Sequence, residues 1–232
     1  MSLEDWTLIN LIVVAHPDDE VLGFGGTGKS LVEAGEVVQS IVVSGLADAR
    51  TQRPEDDELL SDISSANALL GFSPPVLGAF PNIMLNTLPH IELVQFIEKA
   101  IKDFQPDRIF THHPNDLNDD HRQVSRACAA AVRLFQRRND IKPLHSLYYM
   151  EIPSATDWAL PEAQIPFSPN VFFGITSSIE YKISALKCYR NVMRPAPHPR
   201  SEEVIKGLAA YRGGQSGFLY AEAFQLAFQR GF

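Results

Sequence analysis

The hydrophobic pattern divides the chain into short β-branched runs that alternate with longer stretches of helical spacing. Leu8 to Ala15 is apolar except for Asn10, the pattern of a strand buried on both faces of a sheet. Gly23 to Gly35, centred on Leu31 and Val32, predicts a helix closed by glycine. Val37 to Ser44 predicts a second strand, Asp57 to Leu70 a helix stopped at Gly71, and Val76 to Phe80 a third strand. Leu88 to Phe104 sets Leu93, Phe96, Ile97, Ala100, Ile101 and Phe104 on one helical face. Arg108 to Thr111 predicts the fourth strand, and Arg122 to Arg138 a helix with Val124, Ala127, Ala131, Leu134 and Phe135 at helical spacing. Leu147 to Ile152 and Val171 to Ile175 predict later strands separated by a proline-rich loop; Ser178 to Tyr189 and Ser201 to Ala210 predict helices. Strands alternating with such helices predict an α/β fold with a doubly wound, mostly parallel sheet. A single domain over residues 1–232 is expected, because no composition shift divides the chain.

In such sheets ligands bind outside the carboxyl ends of the strands. The first strand runs directly into His16-Pro17-Asp18-Asp19-Glu20, one imidazole and three carboxylates within five residues. Burying adjacent acids is costly without a compensating cation or strong donors, and His with carboxylate is a ligand set suited to zinc. About a hundred residues later, the fourth strand feeds His112-His113-Pro114-Asn115-Asp116-Leu117-Asn118-Asp119-Asp120-His121. Two ligands from the first cluster and one from the second would give the three-ligand, open-position arrangement of a catalytic zinc site.

Bulk properties narrow the function classes. The formal charge of −8 argues against nonspecific binding to nucleic acid or anionic membrane. No apolar run approaches the ~20 residues that cross a bilayer, and Met1 to Asp5 lacks the basic start of a signal peptide, so a cytoplasmic protein is expected. Cys128 and Cys188, the two cysteines, are expected as reduced thiols. Gly23-Phe24-Gly25-Gly26-Thr27-Gly28 fits a dinucleotide fingerprint, but three carboxylates would repel a pyrophosphate there. The second strand also ends without the required acid, at Val43-Ser44-Gly45. Tight helix packing near the metal loop explains these glycines better.

The two polar clusters resemble the signatures of the LmbE-like, or PIG-L, zinc-dependent N-deacetylases. His16-Pro17-Asp18-Asp19-Glu20 follows Ala15 as in their A-H-P-D-D-E motif, and Asn115-Asp116-Leu117-Asn118-Asp119-Asp120-His121 is similar to their N-D-L-N-x-D-H motif. His198-Pro199-Arg200-Ser201-Glu202, Tyr211-Arg212-Gly213 and Tyr220-Ala221-Glu222-Ala223-Phe224 resemble their C-terminal segment. The resemblance implies a Rossmann-like sheet and removal of an acetyl group from an N-acetylated sugar or sugar conjugate. It implies Zn2+, or another divalent transition metal, on His16, Asp19 and His121. Water acidified by the metal would be the nucleophile and Asp18 the general base. Glu20 is expected to hold a ligand or a backbone amide, and Asp116 and Asp120 to orient the loop or a ligand imidazole. Asn118 stands where many relatives carry a histidine; it can donate to an oxyanion but cannot hand over a proton. The proton for the leaving amine is then expected from His198, whose proline-flanked loop resembles the segment that closes over the family's site and which should contact the substrate, with Asp18 acting in turn as the alternative and His113 a third candidate for that role or for orienting Asp116. Arg50 is placed to meet a phosphate or sugar hydroxyl. Asn82 and Asn86 depart from aspartates in related sugar deacetylases, which bears on the charge of the accepted substrate. His90 and His145 are expected to face solvent. Two alternatives stand beside deacetylation: a metal-dependent phosphoesterase, and a noncatalytic metal- or nucleotide-binding module. A homo-oligomer is compatible with all three.

Overall fold

A computed structural model describes residues 7–45, 55–160 and 165–231. Seven strands form one sheet in the order β3-β2-β1-β4-β5-β7-β6. The strands are β1 (Ile9–Val14), β2 (Val37–Val42), β3 (Val76–Leu77), β4 (Arg108–His112), β5 (Ser146–Met150), β6 (Val171–Gly174) and β7 (Ala221–Gln229). The first five pair in parallel, while β7 runs antiparallel to both β5 and β6. The predicted α/β class and mostly parallel sheet are therefore present. Strand order reverses between β1 and β4, and such a switch point leaves a crevice at the carboxyl edge.

Six α-helices are described: α1 (Asp19–Glu33), α2 (Asp56–Leu70), α3 (His90–Phe104), α4 (Asp119–Ala131), α5 (Ile179–Cys188) and α6 (Glu202–Ser216). Alternation along β1 splits the core in two. Leu11 and Val13 pack with Leu93, Ile97, Ile101, Val124 and Ala127 of α3 and α4. Ile12 and Val14 pack on the other face with Phe24, Ile63, Ile183 and Leu186 of α1, α2 and α5. Each fully buried Leu, Ile or Val contributes about 1.5–3 kcal/mol relative to exposure. That burial pins β1 centrally, and with it the polar residues at its end. Among the described residues no helix is long and apolar enough to cross a membrane. Both cysteines are unpaired thiols, as expected.

Several boundaries move. Helix α1 starts four residues earlier than predicted, with Asp18 as its N-cap and Asp19 and Glu20 in its first turn, where the helix dipole favours acids. The six-residue glycine-rich stretch thus lies in the body of a helix, not in a phosphate-binding loop. A Cβ on Gly26 would approach Ile175 to 2.8 Å, and one on Gly28 would meet Phe72 at 2.3 Å. The glycines let α1 pack closely on apolar neighbours, not on the polar loop. Helix α4 begins at Asp119 and gives way to a short 3-10 turn, Leu134–Gln136. The predicted third strand shrinks to two residues, and α6 extends to Ser216. Strand β7 was not predicted, although Phe224, Leu226 and Phe228 alternate with polar or small residues in the period of a strand.

One buried ion pair ties the two ends of the chain together. The Lys182 ammonium contacts Glu222 at 2.6 Å and donates to the Leu22 carbonyl at 2.7 Å. The Glu222 carboxylate accepts from the Gly26 and Thr27 amides at 3.0 and 2.7 Å. Leu22 and Gly26 would be partners in an uninterrupted helical ladder; here each also meets a charged side chain. Removing one member leaves a buried charge uncompensated, which costs about 3–5 kcal/mol. Lys182→Met should lower stability by that amount in urea denaturation. A loss under about 1 kcal/mol would show that water reaches Glu222 and replaces the ammonium.

Candidate functional site

The site forms where β1 and β4 end side by side. Neighbouring residues leaving β1 point in different directions, so His16, Asp18, Asp19 and Glu20 serve different partners. His121, in the first turn of α4, is brought against them. The Asp19 Oδ2 atom lies 3.4 Å from His16 Nδ1, 3.2 Å from His121 Nε2 and 3.6 Å from His112 Nε2, and accepts from the His16 amide at 3.0 Å. All four residues are buried. The predicted ligand trio His16, Asp19 and His121 presents one donor atom each within 4.8 Å of one another.

This donor set fits a zinc-class ion. Tetrahedral ligands at about 2.0–2.2 Å from such an ion stand roughly 3.4 Å apart, close to the 3.2 and 3.4 Å separations here. Both imidazoles are oriented through their other nitrogen, the usual arrangement around a metal. His16 Nε2 meets Asp120 at 3.0 Å, and His121 Nδ1 lies 3.2 Å from Asp116. Asp120 also accepts from the Ile83 and Leu85 amides, and Asp116 from the Asn118 amide and the Thr156 hydroxyl. His112, Asp116 and His121 form a second close trio. However, His112 Nε2 accepts the Ala15 amide at 2.8 Å, which occupies that nitrogen.

The charge states follow from these contacts. Burial would raise Asp19, but the His121 charge and hydrogen bonds from His121 and His16 outweigh it and hold Asp19 well below the usual carboxylate range. Burial would likewise lower His121, yet flanking Asp19 and Asp116 lift it to about 10. Burial, reinforced by the His121 charge, pushes His112 down to about 3, so it is a neutral ring stacked 3.8 Å from His121. Glu20 is raised to about 7, first by burial and then by Asp18 and Asp19, against the Tyr189 hydrogen bond.

Asp18 has φ of 98°, a left-handed conformation that non-glycine residues rarely adopt and that gathers at functional sites. The Glu20 carboxylate steadies it by accepting the Asp18 amide at 3.1 Å, and is itself held by Asn67 and the Tyr189 hydroxyl. Arg200 donates to Asp18 Oδ2 at 3.0 Å and to Ser154 Oγ at 2.8 Å. Asn118 caps α4 through its Oδ1, which accepts the Asp120 amide at 2.9 Å, leaving its NH2 as the donor group. A cavity of about 220 Å3 exposes His16, Asp19, Asn118, His121, Trp158 and Arg200 together.

The remaining sequence candidates lie elsewhere. His198 lines a second cavity, with its ring 5.6 Å from Trp158 and its Nδ1 accepting the Arg200 amide. His113 is buried edge-on between Tyr149 and Phe167, outside both cavities. Arg50 falls outside the described residues. His90 and His145 are half-buried rather than fully solvent-facing. Sequence reasoning gave no role to Arg200, His112 or Tyr189. Arg200 was visible in the His198-Pro199-Arg200-Ser201 segment, but its contact with Asp18 spans 182 positions.

Residues 11–132 match the family model described as PIG-L, GlcNAc-PI de-N-acetylase. The chain is 27% identical over 197 residues to the uncharacterised deacetylase YaiS of Escherichia coli K12, covering 78% of this chain and 90% of that protein. It is similar in structure to N,N'-diacetylchitobiose deacetylase from Pyrococcus horikoshii, with a TM-score of 0.73, 20% identity and coverage of 94% and 83% of the two chains. GalB, the 4-carboxy-2-hydroxymuconate hydratase of Pseudomonas putida KT2440, superposes with a TM-score of 0.75 at 19% identity, covering 97% and 98%. These two structural likenesses define the shared fold.

The His121 charge sets a pH dependence for the metal-free protein. Its folded value near 10 exceeds the ordinary 6.5, so its stabilisation is complete below pH 6.5 and is lost as pH rises through 10. The thermal midpoint of chelator-treated protein should therefore fall between about pH 7 and 10. His121→Gln should remove most of that slope. An unchanged slope in the variant would assign it to another group.

Proposed function

The chain belongs to the PIG-L family, and from that premise we propose that it is a metal-dependent hydrolase that removes the acetyl group of an N-acetylated sugar or sugar conjugate. The observation that carries the proposal is the convergence of His16, Asp19 and His121 on one point, beside an arginine-held Asp18 and an open cavity. The deacetylase descriptions of YaiS and of the Pyrococcus horikoshii enzyme support the reaction class.

His16, Asp19 and His121 would hold the ion, with Asp120 and Asp116 fixing the two rings. When bound, a zinc-class ion polarises an acyl carbonyl and acidifies water. Metal binding requires His121 to give up the proton that Asp19 and Asp116 otherwise retain on it, so affinity falls as pH is lowered. Asp18 is the base that takes the proton from the attacking water. Arg200 and the Glu20-held backbone aim its carboxylate. Asn118 lines the same cavity as Asp19 and His121, and its NH2, not used in capping α4, would donate to the oxyanion that develops on the acyl oxygen. Burial and then the charges of Arg200 and Arg194 hold His198 below its usual value, and its ring lines the neighbouring cavity, not the one that Asp19 and His121 share. On that placement Asp18 returns the proton to the leaving amine, and His198, expected from the sequence as the donor, is a substrate contact.

Acetate release from a panel of acetylated sugars by metal-loaded protein tests the proposal; release of phosphate instead would favour a phosphoesterase, and no turnover a binding module. Purified protein should carry close to one zinc-class ion per chain, lost in His121→Ala. Asp18→Ala should keep the metal and lose about 10²–10⁴-fold in kcat. Loss of metal with activity would make Asp18 a ligand instead.

Separate roles for Asn118 and His198 predict opposite kinetic signatures. Asn118→Ala should lower kcat by the equivalent of one oxyanion donor, ~2–4 kcal/mol. His198→Ala should chiefly raise KM. If His198→Ala instead collapsed kcat and removed the acidic-group limb of the pH profile, His198 would be the proton donor.

A further inference from the structure

His112 ends β4 one step past the last backbone pair between β1 and β4, Val13 with Thr111. Two side chains carry the seam on from there. The Thr111 hydroxyl donates to the Val13 carbonyl at 2.9 Å, and His112 Nε2 accepts the Ala15 amide at 2.8 Å. The Ala15 carbonyl meanwhile accepts from the Ser44 amide, which follows β2. Ala15 is thus held from both sides, and His16 follows it directly. The strands stay joined at the point where the crevice opens.

The same ring lies flat on His121. The two imidazoles stack with centroids 3.8 Å apart and planes 12° from parallel, and both residues are fully buried. His112 Nε2 is also 3.6 Å from Asp19 Oδ2. One side chain therefore borders Asp19 and His121 and grips the backbone just before His16. A ring nitrogen that accepts an amide carries no proton, so the ring is neutral with its proton on Nδ1. A neutral face can lie against a charged or metal-bound imidazole without repelling it. Histidine carries a penalty at this position, because its buried Nδ1 has no hydrogen-bond partner among the described residues and an unpaired donor is destabilising. Phenylalanine would supply the flat face without that loss, but no acceptor for Ala15. Glutamine would supply an acceptor but no face. Histidine supplies both.

We infer that His112 is a positioning residue of the metal centre: it sets the plane of the His121 ring and fixes the end of β1, so that His16, Asp19 and His121 converge before the ion arrives. This role rests on the reading of that trio as a metal site, and gives it a residue that touches neither ion nor substrate. A site assembled in advance loses less freedom on binding, so the effect falls on metal affinity and on coordination geometry.

Metal binding to chelator-treated protein tests this role without relying on turnover. Zn2+ affinity is read by competition with a chromophoric chelator. Co2+ is the spectroscopic probe, because Zn2+ with its filled d shell is silent in the visible. His112→Gln keeps an acceptor and loses the stack; His112→Phe keeps the stack and loses the acceptor. Each should weaken Zn2+ binding by about 10–100-fold. The Gln variant, whose His121 ring is freed, should also shift the Co2+ d–d bands. Ile183→Ala, in the core on the opposite face of the sheet from α4, should lower the thermal midpoint yet leave both metal readouts as in the wild type. Wild-type Zn2+ affinity in either His112 variant, whatever its thermal midpoint, overturns the inference. Loss of stoichiometric metal as complete as in His121→Ala would make His112 a ligand, and overturns it too. If the wild-type protein binds neither ion, the metal reading itself falls and this role falls with it.

Discussion

The charge of Asp19, sealed from water at the end of β1, is the constraint on which the arrangement of the site depends. An isolated buried carboxylate costs several kcal/mol. Here it is met by the His16 amide and by the rings of His16 and His121. Those rings need carboxylate partners of their own, Asp120 and Asp116, which in turn take backbone amides from 83, 85 and 118 and the Thr156 hydroxyl. Compensation thus spreads outward in layers, and four separate chain segments must converge to complete it. A divalent ion bound by the inner trio would replace a proton in this network rather than disturb it.

The remainder of the fold serves to place the start of α1. Its glycines allow close approach to Ile175 and Phe72, and the Lys182–Glu222 pair grips its middle turns from α5 and β7. With the helix body fixed and β1 locked in the core, the residues between them have little freedom. That over-determination permits Asp18 to sit at a positive φ, a conformation that otherwise costs about 1–3 kcal/mol. Strain at this position and rigidity around it are two sides of one arrangement.

The same fold superposes on a sugar deacetylase and on a hydratase, so the chemistry resides in the side chains at the carboxyl edge and not in the sheet. Around that edge the chain builds a polar wall. Asn118 stands as a donor without an acidic proton, Arg200 lies across Asp18, and a guanidinium-rich cavity continues beyond it.

Much of this was legible in the residues themselves. The apolar run of β1, broken only at Asn10, marked a buried strand, and its His-Pro-Asp-Asp-Glu exit marked the ligand edge because local sequence sets which residues leave a strand together. That the two His- and Asp-rich strand ends could meet followed from strand-then-helix alternation, which brings β1 and β4 side by side; that His121 is the residue to join His16 and Asp19 was implied by the family resemblance. Helix boundaries were less legible, since the capping of α1 by Asp18 depends on the turn geometry imposed by the sheet. Strand β7 was hidden because its pairing partners, β5 and β6, lie about 50 to 80 positions away and its sequence is rich in alanine and glutamine. The pairing of Arg200 with Asp18, the neutral state of His112 and the diversion of His113 into an aromatic cage were decided by tertiary structure alone. Each depends on distances between segments far apart in the chain, and on burial, which no local pattern encodes.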